Sequence, residues 1–208
     1  MPAGSVEGVI FDLGGVLIDW DPMRVYRDVF RGDEARAADF LARICTQDWN
    51  ELQDAGRGLD EATRERIVLF PEFEAEIRAY YGRWVEMIGG PIPGTAGILR
   101  ELKSLGLRVF ALSNWSGETF PKVRHEFPEL DLFEEIFLSG DHGCTKPDAK
   151  FYRIALGRIG LEAGKLAFID DNVRNIEGAR RLGMKTAVFT TAEALRADLR
   201  ALGIALAP

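Results

Sequence analysis

Gly8-Val9-Ile10-Phe11-Asp12-Leu13-Gly14-Gly15-Val16 is the stretch whose reading decides the fold. A short apolar run ends in a carboxylate and two glycines. That predicts a buried strand delivering Asp12 to its C-terminal tip, followed by a tight turn. Ligands of open α/β sheets bind at that edge. A turn-capping role explains a lone aspartate equally well. Three later segments shift the balance: Leu112-Ser113-Asn114, Thr145-Lys146-Pro147 and Phe168-Ile169-Asp170-Asp171-Asn172. Each follows an apolar run, so a carboxylate, a hydroxyl, a lysine and a pair of acids can share one rim.

Working outward, two textures alternate along the chain. Residues 17–89 read as helical and polar, with no convincing strand. Asp21-Pro22 opens a helix carrying Val25, Val29 and Phe30, because proline suits the first helical turn. Asp33 caps a second, with Ala37, Phe40, Leu41 and Ile44 at helical spacing. Further helices start at Leu59-Asp60 and at Pro71. From Gly90 onward, strands at Leu107–Leu112, Glu135–Leu138, Leu166–Ile169 and Thr186–Phe189 alternate with helices, among them one from Gly117 to Phe127. Such alternation predicts an α/β fold, a parallel sheet with helices on both faces. The first strand belongs to that sheet, so the expected division is a core of residues 1–17 and 90–208 and an inserted helical-bundle cap of 18–89.

Bulk properties bound the function. The chain has 208 residues, 47% of them hydrophobic and 28% charged, as in ordinary globular proteins. A net charge of -7 and the lack of a Lys/Arg stripe argue against nucleic acid as a partner. Two cysteines make no disulfide framework and suggest a reducing compartment. Cys144 lies near Lys146, but with only His125 and His142 as possible partners it is read as a filler thiol. No basic start or uninterrupted apolar span marks a leader or membrane segment, so a cytoplasmic setting is expected.

With the four segments at strand ends, their order and spacing resemble the haloacid dehalogenase superfamily, in the subfamily whose helical cap follows the first motif. The resemblance spans essentially the whole chain, from Phe11-Asp12 to Phe189. It implies a Rossmann-like sheet of order 5-4-1-2-3 and a nucleophile at Asp12 that takes up a phosphoryl group as an aspartyl-phosphate. Covalent carboxylate catalysis of this kind splits one hard displacement into two easier ones. Ser113 and Asn114 match the motif whose hydroxyl and backbone N–H groups hold phosphate oxygens. Lys146 matches the lysine that offsets nucleophile and phosphoryl charge. Asp170 and Asp171 match the metal-binding acids. By the same pattern, Mg²⁺ is held by Asp12, the backbone carbonyl of Gly14 and one later acid. Asp171 is the expected direct ligand and Asp170 its support. Three carboxylates at one rim repel, by roughly 4 kcal/mol per pair at ~4 Å and an effective dielectric of about 20, so a hard cation suits them. A helix-capping role for the two acids is the bland alternative, and Asn175 reads equally as a support or a surface residue.

One departure matters. Most phosphatases of this superfamily carry an acid two residues after the nucleophile, where this chain has Gly14. Losing general acid–base help of ~10²–10⁴-fold predicts selectivity for activated leaving groups, such as a sugar 1-phosphate. Members with an Asp-Leu-Gly start that act on hexose 1-phosphates look similar. Asp19 and Asp21 are candidate replacements, though hinge or capping roles suit them better. Arg24, Tyr26, Gln47, Asp48 and Trp49 are candidate cap contacts to substrate, though bundle core suits aromatics at that spacing. The expected activity is therefore a Mg²⁺-dependent phosphatase for a small phosphorylated metabolite. A metal-independent haloacid dehalogenase and an inactive binder of the same fold are the alternatives. The dehalogenases of the superfamily lack the acid at the place of Asp171 and carry an aromatic at the place of Gly14.

Overall fold

The computed structural model describes residues 5–207. Residues 1–4 and 208, the outer ends of the expected core segments, lie outside the described residues. In chain order, β1 (Gly8–Phe11) and β2 (Ile18–Trp20) precede the helices α1 (Met23–Val29), α2 (Glu34–Arg43), α3 (Gln47–Asp54), α4 (Leu59–Leu69) and α5 (Glu74–Gly82). Then come β3 (Ile88–Pro91), α6 (Thr95–Ser104), β4 (Arg108–Ser113), α7 (Phe120–Val123) and β5 (Glu135–Leu138). The chain ends through α8 (Ser139–His142), α9 (Ala149–Ile159), β6 (Leu166–Asp170), α10 (Val173–Arg181), β7 (Lys185–Val188) and α11 (Ala192–Ala201).

The main sheet has five strands in the order β5-β4-β1-β6-β7, all pairings parallel. Numbered along the core alone, that is the expected 5-4-1-2-3 read from the other edge. Period-2 alternation divides the side chains between two faces. Ile10, Phe110, Leu112 and Phe168 meet Phe151, Tyr152, Ala155 and Ile159 of α9 and Ile176 and Ala179 of α10. Val9, Phe11, Val109, Ala111, Ala167 and Ile169 face the opposite cluster, with α6 and α11. Because both faces are covered, the strands read as nearly continuous apolar runs.

Three expectations need correction. Residues 17–89 do contain strand: β2 and β3 form an antiparallel two-stranded ribbon with a register shift between Asp19 and Trp20. Three- and four-residue strands, one of them Ile88-Gly89-Gly90-Pro91, carry too little alternation to be read from sequence. Helix α3 also went unread, although Thr46 caps it by accepting the Trp49 backbone N–H. The helix expected from Gly117 to Phe127 shrinks to α7, with Pro121 in its first turn, and one 3₁₀ turn at Arg124–Glu126, before Pro128 opens another.

The inserted helices pack on aromatic rings. Tyr26 lies 4.9 Å from Phe40, and Trp49 lies 5.2 Å from Tyr80, centroid to centroid. Such pairs contribute about 0.5–1.5 kcal/mol each beyond simple burial. Tyr26 and Trp49 are thereby core residues, the Tyr26 hydroxyl donating to the Glu76 carbonyl.

Candidate active site

The site lies where three strand ends and one loop meet. Asp12 follows β1 directly, Ser113 ends β4 with Asn114 next, and Asp170 ends β6 with Asp171 next. The neighbours β4-β1-β6 set these tips side by side. The Asp12 N–H continues the ladder to the Ile169 carbonyl at 2.8 Å. Hence the register of the sheet, and not loop chance, brings Asp12 beside Asp170.

Lys146 arrives from the loop before α9, with a cis peptide to Pro147. Its Nζ stands 2.8 Å from Asp12 Oδ2 and 2.7 Å from Asp170 Oδ2, and its side chain is fully buried. Asn114 clamps it from below the rim. The Asn114 amide donates to the Lys146 carbonyl at 3.0 Å and accepts the Lys146 N–H at 2.8 Å. The Asn114 side chain is thus committed to placing the lysine, leaving only its backbone for a ligand. Asp170 is fully buried and accepts from the Asn172 N–H and, through both its oxygens, from the Asn175 amide, at 2.8, 3.0 and 3.1 Å. Asn175 is buried and so belongs to the site's support.

Asp171 differs from its neighbour in being exposed. Its carboxylate lies against the first loop at Gly15. That glycine has φ +74°, and a Cβ there would stand 2.3 Å from Asp171 Oδ2. Only glycine admits this approach. Carboxylate oxygens of Asp12, Asp170 and Asp171 all fall within 4.8 Å of one another. Three carboxylates against the one ammonium of Lys146 leave two negative charges uncompensated. Burial pushes the Asp12 carboxyl up to about 7; Lys146 opposes that and Asp170 adds to it. Asp171, though its outer side is exposed, is raised by partial desolvation against the rim and by Asp170. Burial disfavours the Lys146 charge, but Asp12 and Asp170 outweigh it and hold the ammonium above the usual lysine range. An all-oxygen trio short of two positive charges fits one hard divalent cation.

Above the rim opens a cleft of about 260 Å³, lined by Asp12, Gly14, Ser113, Asn114 and Asp171 from the core. The inserted segment adds Trp20, Gln47, Asn50, Glu51, Asp54 and Trp84. Of the cap contacts considered from sequence, only Gln47 reaches it. Arg24 is bound to Asp19 and the Met87 carbonyl, and Asp48 lines a separate outer groove. Asn50, Glu51 and Asp54 went unread because α3 did.

A model of haloacid dehalogenase-like hydrolases matches residues 6–183. The chain belongs to that family. This hydrolase is 28% identical over 198 residues to a sesquiterpene phosphatase of Aspergillus oryzae, covering 95% of this chain and 97% of that one. It is 32% identical over 206 residues to the (S)-2-haloacid dehalogenase of a Pseudomonas species, covering 87% and 81%. Among solved structures, a family enzyme of Bacteroides thetaiotaomicron in complex with magnesium and inorganic phosphate superposes with a TM-score of 0.69. At 21% identity, the match covers 90% of this chain and 96% of that one, which shows a common fold.

Proposed function

We propose that this hydrolase is a Mg²⁺-dependent phosphatase acting on a small phosphorylated metabolite through an aspartyl-phosphate on Asp12. One observation carries the reading. Among the described residues, those lining the cleft include four acids, Asp12, Glu51, Asp54 and Asp171, and no lysine or arginine. An anionic substrate entering there needs a cation, and the Asp12–Asp170–Asp171 trio fits one. The same lining speaks against the dehalogenase alternative. Without a metal, a haloacid carboxylate would meet the exposed Asp171 with no cation facing it in the cleft.

The expected roles follow from position. Asp12, the Gly14 carbonyl and Asp171 would hold the ion, with Asp170 orienting the set through Lys146 and Asn175. Bound, the ion supplies charge compensation for phosphate and nucleophile. Ser113 and the backbone beside it hold the phosphoryl oxygens, and Lys146 opposes the burial that raises Asp12 and holds its carboxylate in place. Residues 5–17 and 90–207 carry all of these groups. The segment 18–89 acts as a cap that selects the substrate body. Its walls include the indoles of Trp20 and Trp84, with Trp115 from the core, and the buried Trp20 Nε1 has no partner. Aromatic faces suit a sugar ring, and position 14 taken alone favours an activated leaving group such as a sugar 1-phosphate.

A panel of sugar 1-phosphates, alkyl phosphates and a sesquiterpenyl phosphate, assayed with Mg²⁺ and with a chelator, tests this. Hydrolysis that needs the metal and disappears in Asp12→Asn is the expected result. Halide release from a 2-haloacid in the presence of chelator would overturn it.

A further inference from the structure

The site lacks an acid at position 14, and the structure leaves room there. A Cβ at Gly14 would meet no atom within 4 Å beyond its chain neighbours. The acids close to the first motif are spoken for. Asp19 pairs with Arg24, while Asp21 accepts the Met23 N–H and faces Arg27 at 3.8 Å. Neither lines the cleft.

Asp54, the last residue of α3, is placed differently. It lines the same cleft as Asp12 and Gly14. Its backbone is tied to the core: Ser139 Oγ donates to the Asp54 carbonyl and accepts the Trp115 N–H at 2.9 Å. Its carboxyl accepts from Asn50 Nδ2 at 2.9 Å and lies near the Ser116 backbone N–H. Asn50 is itself oriented by the Tyr81 hydroxyl, which donates to Asn50 Oδ1 at 2.9 Å while accepting from Gln53 Nε2 at 2.9 Å. A polar chain threaded through an aromatic cap thus ends on one carboxyl in the cleft. Among the described residues no lysine or arginine pairs with it.

We propose that the Asp54 carboxyl, presented by α3, donates a proton to the leaving oxygen and then accepts one from the attacking water. This deepens the phosphatase reading and rests on it. In the first step an Asp12 carboxylate oxygen bonds to phosphorus, the bond from phosphorus to the ester oxygen breaks, and that oxygen takes the Asp54 proton. The alcohol leaves an aspartyl-phosphate and an Asp54 carboxylate. In the second step water attacks phosphorus, its proton passes to Asp54, and the bond from phosphorus to Asp12 breaks. Phosphate leaves and both carboxyl groups are restored. The surroundings of Asp54 suit proton transfer, because burial pushes it up to about 8, opposed by the Ser116 N–H and reinforced by Glu51 and Asp12. A group titrating near working pH is an effective proton donor. With this acid in place, ordinary alkoxides become acceptable leaving groups despite Gly14.

Asp54→Asn tests the assignment with p-nitrophenyl phosphate and an alkyl phosphate, in Mg²⁺. The first needs no acid to expel its leaving group, so the variant should release about one equivalent of p-nitrophenolate in a burst. Steady turnover of both esters should fall by roughly 10²–10³-fold. Adding Gly14→Asp to that variant should recover at least about tenfold of the loss. A Mg²⁺-dependent rise in Tm equal to the wild type's shows that the rim is intact. On the wild type, rates should depend only shallowly on leaving-group pKa, a readout needing no variant. A steep dependence overturns the proposal. So does Asp54→Asn turning over near the wild-type rate without a burst, or Glu51→Gln producing the burst instead. Either of these leaves the phosphatase reading standing. A wild type that hydrolyses no ester removes both.

Discussion

The sheet rim and the helical cap hold their acids by opposite means. At the rim, Asp12 and Asp170 flank a buried ammonium at 2.8 and 2.7 Å. In the cap, Asp54 is surrounded by amide donors and no cation. At the rim the Lys146 ammonium works against the burial that raises Asp12, whereas in the cap no cation opposes the burial that raises Asp54. A reaction that needs a nucleophile and a proton donor in one cleft can use that contrast, because like groups in unlike surroundings take unlike roles. Breaking either arrangement should therefore have a distinct signature.

The largest effect belongs to the nucleophile. Asp12→Asn keeps size and most hydrogen bonding but removes the attacking charge, and should lower kcat by on the order of 10⁴-fold or more. No burst should survive with any ester. Next comes the ion that orders the rim. Lys146→Met leaves two buried carboxylates facing each other, which should cost about 3 kcal/mol in denaturant unfolding and ~10²–10³-fold in turnover. Unchanged stability would mean that the two acids do not depend on Lys146 for their charge. Gly15→Ala is a smaller and more selective break. Its Cβ would occupy the space of the Asp171 carboxylate at a positive φ, a strain of about 1–3 kcal/mol. The Mg²⁺-dependent rise in Tm should disappear while the Lys146 ion pairs persist.

How much of this was legible in the chain follows the same division. The rim was readable because parallel strands buried on both faces give apolar runs, and each run ended in a chemically distinct residue: Asp12, Ser113, Asp170. Lys146 was readable from its own segment, but its clamp was not. Nothing in Asn114 announces that its amide closes on the Lys146 backbone 32 residues away. The cap was readable only as helical texture. Helix α3 hid because its buried face is Trp49, Asn50, Gln53 and Asp54, so polar side chains satisfied by one another stand where apolar ones would mark a period. That inward polarity was the missed signal, since buried polar residues are expected only where partners await them. Likewise the ribbon of β2 and β3 is too short to show alternation.

The finest test of the contrast is a slope, not a level. In the folded protein Asp54 holds its proton to about pH 8, whereas in the unfolded chain it releases it near the ordinary 3.8. A carboxyl raised on folding binds more protons folded than unfolded between those values. Its contribution to stability therefore falls as pH rises from about 4 to about 8, and is flat beyond. Asp54→Asn removes that slope, so its Tm relative to the parent should climb between pH 5 and pH 8. Each kcal/mol regained corresponds to about 2–4 °C in a chain of this size. Mismatched donors between the new amide and Asn50 would shift the whole curve without tilting it. The titratable groups facing Asp54 are Glu51 on its own helix, Asp12 across the cleft, and Tyr80 and Tyr81 on α5. The tyrosines stay neutral over this range, both being raised by burial. Asp12 titrates within it, so the comparison belongs in an Asp12→Asn background, in chelator. Parallel curves there would mean that Asp54 is charged in the folded protein, and its role as a proton donor would fall.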